Sequence, residues 1–531
     1  MKKLFCSSRS VTVLLDPEGA YEAREPHSLV LNGKELGEEK RSVCSLFGLW
    51  PDTEYRLESR CGNRTEKLVF RTQEETCSLD VRRFGAKGDG KSDDTAMLQA
   101  AILSCPAGGR VFLPRGDYLT GPLFLKSDMT LELKEGARLR LLTDRERFPI
   151  LPGVTRTTDE QGEVILGLFE GNPLDCFAGA LNGIGIRNTA VIGAGVVDGQ
   201  ADKGDWWIDH KKVKGAFRGN LFYLQRCENI TVQGVTFENS PCWNLHPAFS
   251  TGLDFLNVRV KAPYHSPNTD GFDPESCSRV RLLGAEFSVG DDCIAIKSGK
   301  IYLGSRYHIP CEDIEIAWCA MLDGHGGVTL GSEMAGGIRN VQVHHCYMRG
   351  NDRGLRVKTR RGRGKHGVVD GITFRDVAMD GVKAPLVINS FYHCDPDGST
   401  QWVQSREKQP VDDTTPTIGS ITFERVRATG CKASAAYALG LPERPVGHLV
   451  MKDCAFSFLG EEEPMQPAMA EGVESVSRRG LILRWVGEAE FENVTLDGIE
   501  GEAVDALDCG SVVIREGTDD IHKQEAVNPA K

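Results

Sequence analysis

The sequence lacks most of what would mark a nucleic-acid binder, a membrane protein or a disulfide scaffold. Basic residues do not dominate: the net charge is -12 and the pI is near 5.6, so the molecule as a whole repels polyanions. No sustained apolar run opens the chain. MKKLF is broken by Cys6, Ser7, Ser8, Arg9 and Ser10, and Asp16 ends the next run, so neither a signal peptide nor a membrane span is expected and the expected location is cytoplasmic. No CxxC pair and no His/Cys cluster at zinc spacing occurs, which argues against a structural metal. The 17 cysteines are odd in number, and Cys319, Cys346 and Cys454 occupy apolar strand positions; reduced, buried thiols are expected. Aromatic residues make up only 7% against 59 glycines, a balance of many turns and few bulky layers. A chain of 531 residues exceeds one ordinary core and suits several domains or an elongated repeat array.

Residues 1–77 read as short strands (VTVLL, SLVLNG, TEYRLESRC, KLVFRT) between turns, the pattern of a small β-sandwich. Within it, LWPDTEYRLES resembles the fibronectin type III pattern of a proline turn before a Tyr-bearing strand. QEETCS serves as a linker. Beyond it, a Gly-rich turn precedes an expected helix with Ser92 or Asp93 as N-cap and apolar positions at Met97, Ala100, Ala101 and Leu103. Such a helix would cap the open end of a repeat array.

From 230 onward one template recurs, apolar-x-apolar-x-x-apolar-x-apolar. It fits Ile230, Val232, Val235 and Phe237, then Leu253, Phe255, Val258 and Val260, then Val280, Leu282, Ala285 and Phe287, and continues to Ala489, Phe491, Val494 and Leu496. Two short strands with a corner between them, at this period, are one turn of a parallel β-helix. Each turn rises about 4.8 Å, so residues at matching places touch. Third strands align as Cys293–Lys297, Gly327–Gly331 and Gly354–Lys358, with Ile294, Ile296, Val328, Leu330, Leu355 and Val357 inward and Lys297, Thr329, Arg356 and Lys358 on one outer face. Asp291, Asp292 and His325 fall in the turns entering that face, which Asp270 and His246 approach from the two preceding turns of the coil. Three carboxylates on one surface are the equipment for acid/base chemistry on an acetal or ester.

Asn268-Thr269-Asp270, Gly290-Asp291-Asp292, Gly324-His325-Gly326 and Arg356-Val357-Lys358, in this order and spacing, resemble the motifs of family 28 glycoside hydrolases, the polygalacturonases, chiefly of the bacterial exo type. The resemblance covers about 80–460; FGAKGDGKSDD is an entry signature shared with pectin-lyase-like β-helices. It implies an all-β fold, a right-handed parallel β-helix over 78–531 behind the N-terminal sandwich of 1–77. It implies inverting hydrolysis of α-1,4-linked galacturonate in pectic oligomers, without a cofactor. Asp291 would protonate the glycosidic oxygen, Asp270 and Asp292 would hold and deprotonate water, and His325 would tune the acid. Arg356 and Lys358 would grip the uronate carboxylate, Tyr392 would line the sugar site, and Asn268, Lys297 and His246 are further candidate substrate contacts. Inversion calls for acid and base about 6.5–9.5 Å apart, and crowding should raise at least one carboxyl pKa. The sequence departs from the family at Lys300–Asp313, an inserted loop.

Each Asp beside Gly, taken alone, reads more simply as a turn residue; three acids, a histidine and two cations on one ladder do not. His246 is as readily a packed neighbour of Trp243. The run from Lys358 to Lys365 reads as a solvated loop, and Trp206, Trp207 and Glu333 stay undecided. The competing functions are a Ca-dependent pectate lyase, a non-catalytic carbohydrate-binding β-helix, and a rhamnogalacturonan or xylogalacturonan hydrolase of the same family. Chain-end attack is favoured because a cytoplasmic enzyme would meet short oligomers.

Overall fold

The computed structural model describes residues 1–156, 163–460 and 463–515. The last stretch of the expected second domain, 516–531, lies outside the described residues.

The N-terminal unit has seven strands: β1 (Lys2–Cys6), β2 (Ser10–Leu14), β3 (Glu22–Leu31), β4 (Lys34–Arg41), β5 (Val43–Phe47), β6 (Glu54–Cys61) and β7 (Arg64–Arg71). They form two antiparallel sheets, ordered β1-β2-β5 and β4-β3-β6-β7, over a core that includes Val11, Val13, Leu29, Tyr55, Leu57 and Phe70. The next strand, Ser78–Asp80, pairs in parallel with Gly109–Leu113 and already belongs to the coil. A switch from antiparallel to parallel pairing therefore falls at the 72–77 linker.

The coil is a right-handed parallel β-helix with three ladders. The apolar template marks the first two register by register: Val280 pairs with Ile314 and Leu282 with Ile316, Phe287 with Met321, and Leu449, Met451, Cys454 and Phe456 with Ala489, Phe491, Val494 and Leu496. Their side chains point inward and are buried. Stacking carries through the core, with Phe374 and Phe423 parallel at 5.2 Å. Cys319, Cys346 and Cys454 are buried free thiols within it. The third ladder runs Ile294–Ile296, Gly326–Leu330, Arg353–Lys358 and Ala384–Asn389. Single bridges at Phe272 join it to the earlier strand Leu245–Ala248.

The capping helix α1 is Thr95–Ser104 with Asp94 at the N-cap, one residue after Asp93 and two after Ser92. Its inward face is Leu98, Ala101 and Ile102, while Met97 and Leu103 are exposed. Asp94 instead accepts from the backbone N–H groups of Lys87 and Gly88, and this pins the turn and delays the helix start.

The sandwich docks on the corner between the first and second ladders, away from the third. Ser10 Oγ and Thr12 Oγ1 bond Gln233, and Ser45 Oγ and the Val43 carbonyl bond Asn257. Leu14 and Val43 pack on Leu256, Leu283, Ala317 and Trp318. Among the described residues no helix is long and apolar enough to cross a membrane.

Phe255 is fully buried between Phe222 and Phe272. Phe255→Ala should destabilise the protein by about 3–5 kcal/mol through lost contact and residual cavity, read as a lower guanidinium midpoint. A cost below about 1 kcal/mol would contradict a close-packed coil interior.

Candidate active site

The pairing of Phe272 with Ile294 sets Asp270 beside Asp292 on adjacent turns, and the Gly271 N–H donates to the Asp292 carbonyl at 3.0 Å. One turn further on, the His325 N–H donates to the Asp291 carbonyl at 2.9 Å. Gly290 is required where it stands: a Cβ there would lie 2.4 Å from the Ser266 carbonyl oxygen. This close approach brings the Asp291-Asp292 turn down over Asp270.

The result is a trio in which one carboxylate oxygen each of Asp270, Asp291 and Asp292 lies within 4.8 Å of the others. Stacking one turn on the next sets this approach of the nearest oxygens at about one strand spacing. The side chains differ in access: Asp291 is 23% exposed, Asp270 5% and Asp292 1%.

Counter-charges surround the trio. Lys358 Nζ donates to Asp292 Oδ2 at 2.8 Å and Arg356 Nη1 to Oδ1 at 3.3 Å. Lys297 Nζ lies 4.0 Å from Asp270, 3.6 Å from Asp273 and 3.2 Å from Glu333, and 4.3 Å over the Trp243 ring. His325 Nδ1 lies 3.1 Å from Asp291 Oδ1. The Tyr392 ring centre is 5.9 Å from Arg356 and 5.5 Å from Lys358. Arg356 and Lys358 thus both hold Asp292.

These surroundings sort the carboxyls. Burial pushes Asp270 well above the ordinary value of 3.8, and the nearby Asp291 charge adds to it while Lys297 opposes. Burial also pushes Asp292 up, but Lys358 and Arg356 together outweigh it and hold that carboxyl well below the usual range. The hydrogen bond to Asp291 raises the His325 imidazole above 6.5, against burial. The raised carboxyl expected from crowding is Asp270, the buried acid with no cation in direct contact.

His246 is a correction. It is fully buried, with the Asn220 amide on Nδ1 and Glu275 on Nε2, each at 2.8 Å, and Trp243 edge-on at 4.8 Å. It packs beneath the groove and offers a substrate nothing. Asn268 is half-buried, and its Oδ1 accepts from Arg218 at 2.7 Å, fixing the loop before Asp270. Trp206 is a packed cover between Phe148 and Phe177, while Trp207 donates to the Ser240 carbonyl. The expected solvated run is mostly an ion-pair scaffold: Arg360, Arg361 and Arg363 are buried and pair with Asp395, Asp397 and Glu443. The inserted loop folds as helix α2, Ile301–Tyr307.

Sequence reasoning missed Asp273, whose buried carboxyl oxygens have no hydrogen-bond partner. It also missed Arg353, pushed down to about 10 by burial and the Arg356 charge and bonded to the carbonyls of Gln466 and Pro467. The three-residue step from Asp270 to Asp273 was a usable signal; the 463–478 segment that meets Arg353 gave none. An open depression of about 570 Å³, lined by Thr231, Asp254, Arg281, Glu315 and Gln342 among others, lies on the first ladder and includes no carboxylate of the trio.

A family model described as glycosyl hydrolases family 28 matches residues 171–467, and one described as rhamnogalacturonase A/epimerase, pectate lyase-like, matches 78–131. A probable polygalacturonase of Vitis vinifera is 32% identical over 58% of this chain and 61% of its own length. An endo-polygalacturonase of Pectobacterium parmentieri is 30% identical over 57% of this chain and 73% of its own. The crystal structure of an exopolygalacturonase from Thermotoga maritima superposes with a TM-score of 0.63 at 26% identity, covering 78% of this chain and 91% of that one.

The Asp270 shift has a sign that can be checked. A carboxyl raised in the folded state contributes stability that is complete below its unfolded value, near 3.8, and lost as pH climbs toward the folded one. Asp270→Asn removes that loss, so the variant's melting temperature should gain on the parent's as pH rises above about 4. A gain that shrinks with pH would contradict the assignment.

Proposed function

Since the chain belongs to glycosyl hydrolases family 28, we propose that it hydrolyses the α-1,4 bond between galacturonates of pectic oligomers, from a chain end, with inversion. The observation that carries this reading is the trio of Asp270, Asp291 and Asp292 within 4.8 Å, flanked by Arg356 and Lys358.

Asp291 is the exposed member and meets the glycosidic oxygen as proton donor, oriented by His325. Asp270 and Asp292 hold the attacking water from below. The proton kept on Asp270 is within one water of Asp291, a relay that readies the acid and leaves Asp270 as base. Arg356, Lys358 and Tyr392 take the uronate on the side of the leaving sugar.

Retention, the alternative outcome, needs a carboxylate free to attack the sugar. The clamp on Asp292 speaks against it, because both its oxygens are engaged by cations and it is not a free nucleophile. The same cations supply the counter-charge that a calcium-dependent lyase takes from its metal, which favours hydrolysis. The name of the Thermotoga protein supports chain-end action and that of the Pectobacterium protein opposes it. The three-plus-four strand order supports a fibronectin type III-like fold for 1–77, and the unpaired cysteines support a reducing, cytoplasmic location.

Digestion of a galacturonate tetramer tests the reading. Expected are reducing ends without ultraviolet absorbance, activity indifferent to chelator, a first-formed β-anomer by NMR, and terminal units before any midpoint product. An absorbing, chelator-sensitive product would establish the lyase, an α-anomer would establish retention, and products of every length appearing together from a longer oligomer would establish internal attack. Asp291→Asn should lower kcat by about 10²–10⁴ with oligomer binding retained; full turnover in that variant would remove Asp291 from the chemistry.

A further inference from the structure

The hairpin tip Phe169-Glu170-Gly171-Asn172 meets Glu333 and has no part in the proposed chemistry. Phe169 and Asn172 exchange backbone hydrogen bonds at 2.9 and 3.0 Å, and Glu170 and Gly171 have φ of 44° and 72°. This is a two-residue turn with positive φ at both central positions. Glycine adopts it freely and glutamate does not, so Glu170 is held there by its surroundings. The Lys300 N–H donates to the Gly171 carbonyl at 2.9 Å. A Cβ on Gly171 would lie 2.6 Å from Glu333 Cγ, so the bare backbone rests directly on the Glu333 side chain. Phe169 anchors the tip against the Phe217 ring at 4.5 Å.

Glu333 follows the third-ladder strand Gly326–Leu330 and shares the Lys297 ammonium with Asp270. It therefore stands on the same floor as the reacting carboxylates. Asp270 Oδ1 is buried and has no hydrogen-bond partner.

We propose that this hairpin tip and Glu333 form an end wall of the groove that reads a free hydroxyl of the terminal galacturonate, with Glu333 as acceptor and Glu170 as the second contact. The inference rests on the chain-end hydrolase reading and names the residues that impose it. Burial pushes the Glu333 carboxyl up, but Lys297, Lys300, Lys358 and Arg363 outweigh it and keep it charged. Burial, reinforced by Glu333, pushes Glu170 up instead. A hydroxyl meeting the pair can give its proton to Glu333 and accept one from Glu170. A further sugar in place of that hydroxyl would run into the hairpin backbone and bring another uronate charge against two acids.

The test compares kcat/KM on saturated tetragalacturonate and on a tetramer whose terminal residue carries a 4,5-double bond in place of the 4-hydroxyl. The parent enzyme should prefer the saturated oligomer by about 10⁴-fold, since a site built to bond a hydroxyl rejects the analogue lacking it. Glu333→Gln should shrink that preference at least about tenfold and Glu170→Gln by several-fold, whereas a merely structural role would lower both rates and leave their ratio alone. Glu170→Gln, on a turn tip, carries the test if the Glu333 variant does not fold. An unchanged ratio in the variants, or a parent enzyme active on both oligomers alike, would overturn the end-wall inference. A parent enzyme inactive on every galacturonate oligomer would instead overturn the hydrolase reading.

Discussion

The in-register parallel pairing of successive turns is the constraint on which the rest depends. Once Phe272 is paired with Ile294, no freedom remains in where Asp270 and Asp292 meet, because each turn lies one strand spacing above the last. The hydrophobic template enforces that pairing. A slip of one residue would turn Ile294, Ile296, Val328 and Leu330 outward and carry the polar face into the core. The core and the site are two readings of one register, and the inward face is what makes the outward face accurate.

Crowding acids in this way is costly unless each charge finds a partner. The protein answers with long cations drawn from the same ladder. Lys358 and Arg356 reach back two turns to Asp292, and Lys297 stands between Asp270, Asp273 and Glu333. The two acids end in opposite states for this reason: Asp292, bonded directly, is stabilised as an anion, while Asp270, with a lysine only at 4.0 Å, is left to desolvation. Division of labour within the trio follows from which acid has a cation in contact.

The repeat was readable from Ile230 onward because alternation in a strand is local and every turn repeats it; the predicted pairs recur in the ladders residue for residue. The convergence of Asp270, Asp291 and Asp292 with Arg356 and Lys358 was readable for the same reason, since it is arithmetic on the register. What depends on long-range partners was not. His246 sits on the right ladder, but Trp243 and Glu275 bury it, and no spacing announces that. The arginines at 360, 361 and 363 look solvated until Asp395, Asp397 and Glu443, distant in sequence, arrive to pair with them. The helix start was misplaced because Asp94 serves the preceding turn, a choice between two local hydrogen bonds that composition does not settle. Strand β4, KELGEEKR, escaped notice because an exposed edge strand carries no apolar alternation.

The docked sandwich has a consequence for how the coil comes apart. A solenoid contacts only its neighbours and can fray from either end, one repeat at a time. Here the corner residues Gln233, Asn257, Leu283 and Trp318, spread along four consecutive turns, are all fastened to one rigid body through β2 and β5. Those turns, which span the Asp270–Asp292 register, cannot open singly without also tearing that body loose. Local breathing is thereby pushed toward the two extremities, and the stretch bearing the reactive acids behaves as a single splinted block within an otherwise modular rod.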